Sequence, residues 1–201
     1  MDLRITRARI SFANGLFNAS AAVEGGLPKF GCDFIVDPES KVERKTADGK
    51  WIPTTLKEAQ ALTAAEAFKG DAKKASAWFE DLDARQRSVR DGNKNKDKAG
   101  DVREGYEGNL YVAAKSKTRM PVYTKALAEV HDEASSPIYS GCYVNARVSL
   151  YCNLKPGQKG MFASLQGTQF HSDGDSFGGG AKAGAGDFEP VTDGADSSDF
   201  S

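Results

Sequence analysis

Residues 137–170, PIYSGCYVNARVSLYCNLKPGQKGMFASLQGTQF, constrain the fold of this chain more than any other stretch. Cys142, Val144, Ala146, Val148, Leu150 and Cys152 are apolar and share one parity, while Tyr143, Asn145, Arg147, Ser149 and Tyr151 share the other. Side chains alternate faces along a strand, so a period-two run this long predicts one buried and one presented face. Residues 153–159 then place Pro156 beside Gly157 in a polar turn. Extended sequence resumes at Gly160, with Met161, Ala163 and Leu165 on the buried parity and Phe162, Ser164 and Gln166 on the open one. Two strands around a short Gly-containing loop predict an antiparallel hairpin.

The open face of that hairpin carries Tyr143, Tyr151, Arg147 and Phe162, and its turn adds Lys155 and Lys159. A plain solvent face would mix Lys, Glu and Thr. Aromatics and cations with no acid among them suit stacking on bases while neutralising phosphates. The hairpin alone leaves an alternative open, in which a helix or another subunit covers this face.

The same chemistry recurs upstream. A first strand is expected over residues 3–13, with Ile10 and Phe12 inward and Arg4, Arg7 and Arg9 close by, followed by a Gly-, Ala- and Asn-rich loop. A second covers 29–36, with Phe30, Cys32, Phe34 and Val36 inward, and Asp37-Pro38 ends it. Thr55 and Glu58 fit a capping box, predicting a helix through Leu62 and Phe68 to a stop at Gly70. Asp71 can cap a second helix through Trp78, Phe79 and Leu82, where Trp78-Phe79 reads as core packing beside an acidic helix end. Residues 85–125 hold eleven bases against five acids. Within them, 91–108 has almost nothing apolar and is expected to be a mobile basic loop, with Arg90 and residues 94–98 as a rim. Residues 109–117 are extended again, with Leu110, Val112 and Ala114 inward and Tyr111, Lys115 and Lys117 outward.

Charge is divided unevenly along the chain. The net charge is −1, yet residues 173–201 carry −6 and the remainder +5. That end is dominated by Gly, Ala, Ser and Asp without periodicity, so it is expected to be a disordered acidic tail. A mildly basic body with an acidic tail favours a polyanion partner and self-competition for it.

Much chemistry is missing. No phosphate-binding GxxxxGK[ST] loop occurs, and GGGAKAGAG lacks the spacing and context of a dinucleotide fingerprint. His131 and His171 stand alone, and Asp91, Asp97 and Asp101 are interleaved with lysines. Cys32, Cys142 and Cys152 read as small buried hydrophobes of a reducing compartment. No apolar run is long enough for a bilayer, and the N-terminal sequence lacks the apolar core of a signal peptide. The expectation is a protein with no catalytic residues, metal, cofactor or membrane partner.

Several strands, a helical insertion and a long C-terminal hairpin suit a mainly β OB fold, a five-stranded Greek-key barrel. It would occupy residues 1–172, with the helical insertion at about 54–83, the basic loop at about 85–108 and the flexible tail from 173 to 201. The elements RISFAN, SVRDGN, GY, NLYVAAKSKTRMPV, IYSGCYVNARVSLY, KGMFASLQGTQ and SDGDSFGGG, in that order, resemble bacteriophage single-stranded-DNA-binding proteins with an OB fold. The resemblance implies a non-catalytic protein that coats and protects single-stranded DNA in phage DNA replication and recombination, in the cytoplasm of the infected bacterial host. It also implies recruitment of phage or host replication proteins (polymerase, helicase/primase, nuclease or recombinase) through an acidic tail with an aromatic end. Here Asp193, Asp196, Asp199 and Phe200 match that tail, with Ser201 following.

On this reading bases stack on some of Tyr111, Tyr143, Tyr151 and Phe162. Arg147, Lys115, Lys117, Arg119 and Lys159 meet phosphates, and Arg90 belongs to the rim. A homodimer stays open. The alternative is a virion or scaffold protein whose tyrosine-rich face is a subunit interface; a nuclease is disfavoured by the lack of a metal cluster.

Overall fold

A computed structural model describes residues 1–21 and 24–178. Its elements in chain order are β1 (Asp2–Ser11), β2 (Phe30–Val36), β3 (Lys41–Lys45), β4 (Trp51–Pro53), α1 (Leu56–Ala67), α2 (Ala72–Glu80), β5 (Val89–Asp91), β6 (Leu110–Ser116), β7 (Val122–Tyr123), β8 (Glu129–Val130), β9 (Tyr143–Asn153) and β10 (Gly160–Ser172). The expected mainly β architecture with a helical insertion is what the chain adopts.

Five strands close on themselves. β1 pairs with β2, β2 with β6, β10 with β9, and β9 with β1, all antiparallel. The ring is completed by a short parallel pairing of β6 with β10, Ala114 facing Ala163. Closure removes the exposed edges that an open sheet of this size would carry. Where β6 and β10 diverge, Ser88 stitches the gap. Its N–H donates to the Met161 carbonyl (2.9 Å), its carbonyl accepts from Ala113 N–H (2.8 Å), and its hydroxyl accepts from Ala163 N–H (2.8 Å).

The barrel interior follows the alternation read from the sequence. Val144, Ala146, Val148 and Leu150 of β9 meet Leu165, Phe34, Val112, Ile5 and Ile10 in one buried cluster. In β1 the inward parity changes midway, from Leu3 and Ile5 to Ala8 and Ile10. The cause is a bulge at Arg7, which adopts φ 61° and shifts the pairing with β9. The freed Arg7 N–H donates to the Asn145 side-chain oxygen (3.2 Å).

The helices plug one side of this barrel. Thr55 caps α1, its hydroxyl accepting from Glu58 N–H (3.1 Å), and Asp71 caps α2 by accepting from Lys74 N–H (3.1 Å). Phe68 and Trp78 pack ring against ring (5.6 Å between centroids). They join Ala64, Ala75, Leu82, Phe79, Cys152 and Met161 in a second cluster. Cys32 and Cys142 are buried and all three cysteines are free thiols. No helix of the described residues is long and apolar enough to cross a membrane.

Three expectations need correction, and one hairpin was not expected. Phe12 does not pack inward: β1 ends at Ser11, and Phe12 turns into the left-handed region (φ 58°) with 44% of its surface exposed. Residues 41–53 form an extra hairpin, β3–β4, hydrogen-bonded to the outer edge of β1. Its turn uses Gly49 at φ 84°, a conformation that glycine adopts without a Cβ clash. The stretch 91–108 is held rather than loose, because Tyr106 is buried (1% exposed) and its hydroxyl donates to Asp33 (2.8 Å). Finally, the body continues past residue 172. Phe177 N–H donates to the Ser140 carbonyl (2.9 Å), and its ring lies under the Arg9 guanidinium (4.3 Å).

Candidate nucleic-acid interface

The outward parity of β6 and of the β9–β10 hairpin, with the flanking loops, walls a groove of about 730 Å³. Lys115 reaches it from β6, Lys117 from just past the end of β6, Tyr151 from β9, Phe162 from β10, Lys159 from the hairpin turn and Arg90 from β5. These six of the ten DNA-binding residues expected from the sequence are thus brought together. Lys29 and Arg85 complete the lining, and neither was expected. Each is a single exposed cation, Lys29 just before β2 and Arg85 in the turn between α2 and β5, where no periodicity marks it.

The aromatic pair is an open ring beside a half-buried one. Tyr151 is 49% exposed, and its ring lies 5.9 Å from that of Phe162, the residue directly across the strand pair. Phe162 leans over Gly160, where a Cβ would stand 2.5 Å from its Cζ. Glycine at that position lets the ring lie flat along the strand. Two neighbouring π-faces at the edge of a cationic wall can each take a base.

Six cations and no carboxylate line this groove. At its rim Asp81 ion-pairs with Lys159, whose hydrogen bond and charge hold the Asp81 carboxyl below its ordinary range. Arg90 spends its guanidinium on the Arg87 and Arg85 carbonyls, so it is a braced cation rather than a free one. Through Lys29 and Lys115 the groove continues into a second hollow of about 450 Å³, lined by Phe12, Leu27, Phe30 and Asp33. Burial pushes the Asp33 carboxyl up to about 6, against the Tyr106 hydrogen bond and the nearby charges of Arg90, Lys115 and Arg103.

The other four expected residues lie elsewhere. Tyr111 is on the outward parity but only 5% exposed, because Tyr106 from the 92–109 loop packs edge-on against it (4.9 Å). Tyr143 is covered by the Arg7 guanidinium (4.1 Å), which the β1 bulge throws across its ring. Arg119 donates to the Val130 carbonyl (3.1 Å) and lies over Phe17. Arg147 stacks on Trp51 (4.5 Å) at a different hollow. The tail residues Asp193, Asp196, Asp199 and Phe200 lie outside the described residues. Among the described residues no group of His, Cys, Asp and Glu could hold a metal ion.

A closed β barrel with an open aromatic and cationic groove defines a nucleic-acid-binding class of protein. The sequence takes the assignment further: a profile of the family described as Enterobacter phage Enc34, ssDNA-binding protein matches residues 1–201, and the chain belongs to that family. Two solved structures of the bacteriophage Enc34 single-stranded DNA-binding protein share the fold. The complex with ssDNA superposes with a TM-score of 0.58 at 17% identity, over 88% of this chain and 89% of that one. The C-terminal truncation gives 0.57 at 17% identity, over 88% of each. A sequence relative, protein p50 of Acyrthosiphon pisum secondary endosymbiont phage 1, is 43% identical over 95 residues, which is 46% of this chain. The match spans half of that relative's length (50%).

Proposed function

We propose that this chain is a non-catalytic, sequence-tolerant single-stranded-DNA-binding protein of a phage, and that its barrel is an OB fold used in the manner of that class. The observation that carries the reading is the groove itself: six cations, the exposed Tyr151 ring beside the half-buried Phe162 ring, and no carboxylate in its lining. Bases stack on Tyr151 and Phe162 while Lys29, Arg85, Lys115, Lys117 and Lys159 meet phosphates. Stacking needs unpaired bases, so the groove selects single strands over duplex. Family membership and the openness of the groove favour this over a virion or scaffold role, in which the aromatic face would be a subunit interface.

The finer biology is part of the same proposal. The protein coats and protects strands exposed in replication and recombination, within the host cytoplasm, and its acidic tail recruits replication enzymes. Gly178, the last described residue, lines a small hollow with Phe12, and Phe12 also lines the 450 Å³ hollow that adjoins the groove. A tethered polyanion starting there has a high effective concentration at the cations. Deleting residues 179–201 is therefore expected to tighten DNA binding at low salt and to abolish enzyme recruitment. Titrating the full chain with labelled oligo-dT and with a duplex of equal length tests the core reading. Strong binding of oligo-dT with much weaker binding of duplex is expected; equal binding or none overturns it.

A further inference from the structure

A separate hollow, of about 650 Å³, opens on the outer face of β9 toward the start of that strand, whereas the groove lies toward its end. Arg147, Asn145, Gln169, Tyr123, Leu127 and Arg4 are among its walls. Its cation is presented, not neutralised. Arg4 is bound to Glu43 (2.7 Å), whereas among the described residues Arg147 has no carboxylate within ion-pair distance. The Arg147 guanidinium is held flat by Trp51 (4.5 Å), which Arg4 also approaches (5.0 Å), and its buried Nε has no hydrogen-bond partner. Beside it the Asn145 amide donates to the Gln169 side-chain oxygen (3.0 Å), and Gln169 donates to the Lys125 carbonyl (3.3 Å). Leu127, at φ 66° and 67% exposed, stands at the mouth of the hollow near Tyr123.

The hollow is continuous with the groove along one strand. Arg147 and Tyr151 share the outer row of β9 and stand four residues, or roughly 13 Å, apart. Between them are Ser149 and its cross-strand partner Ser164, both small and uncharged, and Ser164 itself lines the groove. Asp2, opposite Ser149, borders this path, and Glu43, paired with Arg4, is itself part of the wall of the hollow. A fork-shaped guanidinium, an aromatic ring and paired amides fit a phosphate and a base rather than an apolar partner.

We propose that the Arg147 hollow is a second contact for the same DNA strand, Arg147 taking a phosphate and Tyr123 and the Asn145–Gln169 amides flanking a base. The inference rests on the single-strand reading of the groove. It makes the footprint of one protein longer than the groove.

Oligonucleotide length separates the two sites. The full-length protein and its Arg147→Gln and Tyr123→Ala variants are titrated with oligo-dT of about 4 and about 30 nucleotides, the shorter too short to fill the groove and reach Arg147 together, and at the low end of the range that one OB fold occupies. Each variant is expected to lose roughly three- to tenfold in affinity for the long oligonucleotide and nothing measurable for the short one. A Lys115→Gln/Lys117→Gln groove variant is expected to lose affinity at both lengths. Equal losses at both lengths in the Arg147 and Tyr123 variants, or no loss at either, overturn the second contact. Tyr123→Ala decides the matter should Arg147→Gln melt early by circular dichroism. Failure of the unmodified protein to bind either oligonucleotide would instead overturn the groove reading, and the second contact with it.

Discussion

Tyr151 and Tyr143 stand on the same face of β9, at its two ends, and only one of them is available. Tyr151 lies open against Phe162 at a cationic wall. Tyr143 lies beneath Arg7, whose guanidinium is fixed by Asp37 (3.0 Å) and Glu39 (2.9 Å). Tyr111 on β6 repeats the covered case, with Tyr106 in place of Arg7. Outward parity therefore does not amount to exposure. Each outward tyrosine is assigned to packing or to binding by what another part of the chain lays over it.

The largest effect expected from this contrast is on stability. Tyr111→Ala removes a buried ring from the Tyr106 cluster and should cost about 3 kcal/mol, whereas Tyr151→Ala should cost well under 1 kcal/mol. Chemical denaturation of both variants measures it, and similar losses would erase the distinction between covered and open rings.

The covered region should also respond to pH. The Asp33 carboxyl, raised by burial to about 6, binds its proton more tightly in the folded than in the unfolded chain. Its contribution is thus fully present below the ordinary carboxylate value and is lost as pH rises through about 6. Between pH 4 and pH 6 stability should fall by roughly 2 kcal/mol on this account, and Asp33→Asn should flatten that part of the profile. A wild-type profile that rises over this range and is unchanged in Asp33→Asn would remove Asp33 from the explanation.

The open region should respond through binding. Tyr151→Ala and Phe162→Ala should each weaken oligo-dT binding by on the order of 1–2 kcal/mol with the melting temperature unchanged. Tyr143→Ala should do the reverse, lowering the melting temperature and sparing affinity. Fluorescence titration of the three variants in parallel would show whether the two ends of β9 differ as described.

How far the sequence foretold this can be seen residue by residue. The hairpin was legible because alternation over β9 is long and unbroken, and the helix starts were legible because Thr55 and Asp71 are strong caps. The β3–β4 hairpin left a signal too, Asp48-Gly49 between two short extended runs, but its length is too small for periodicity to stand out. The covers were not legible. Arg7 reaches Tyr143 through a one-residue bulge, and Tyr106 is one apolar ring in a polar stretch whose partner, Asp33, lies 73 positions away. Such contacts depend on barrel closure, which no local pattern encodes. The separation of Arg147 from the groove has the same origin, for Trp51 arrives from the missed hairpin.

The central claim is that a single strand lies in the Tyr151 groove with its phosphates on exposed cations. The most direct test is the affinity of the intact chain for oligo-dT as a function of salt, beside a Lys115→Gln/Lys117→Gln variant. Each phosphate contact adds about −0.7 to the log–log slope, so the five cations assigned to phosphates predict a slope of about −3 to −4, made shallower by about 1.4 in the variant. An affinity that does not change with salt, or a slope that is the same in both proteins, would contradict a strand running along this groove.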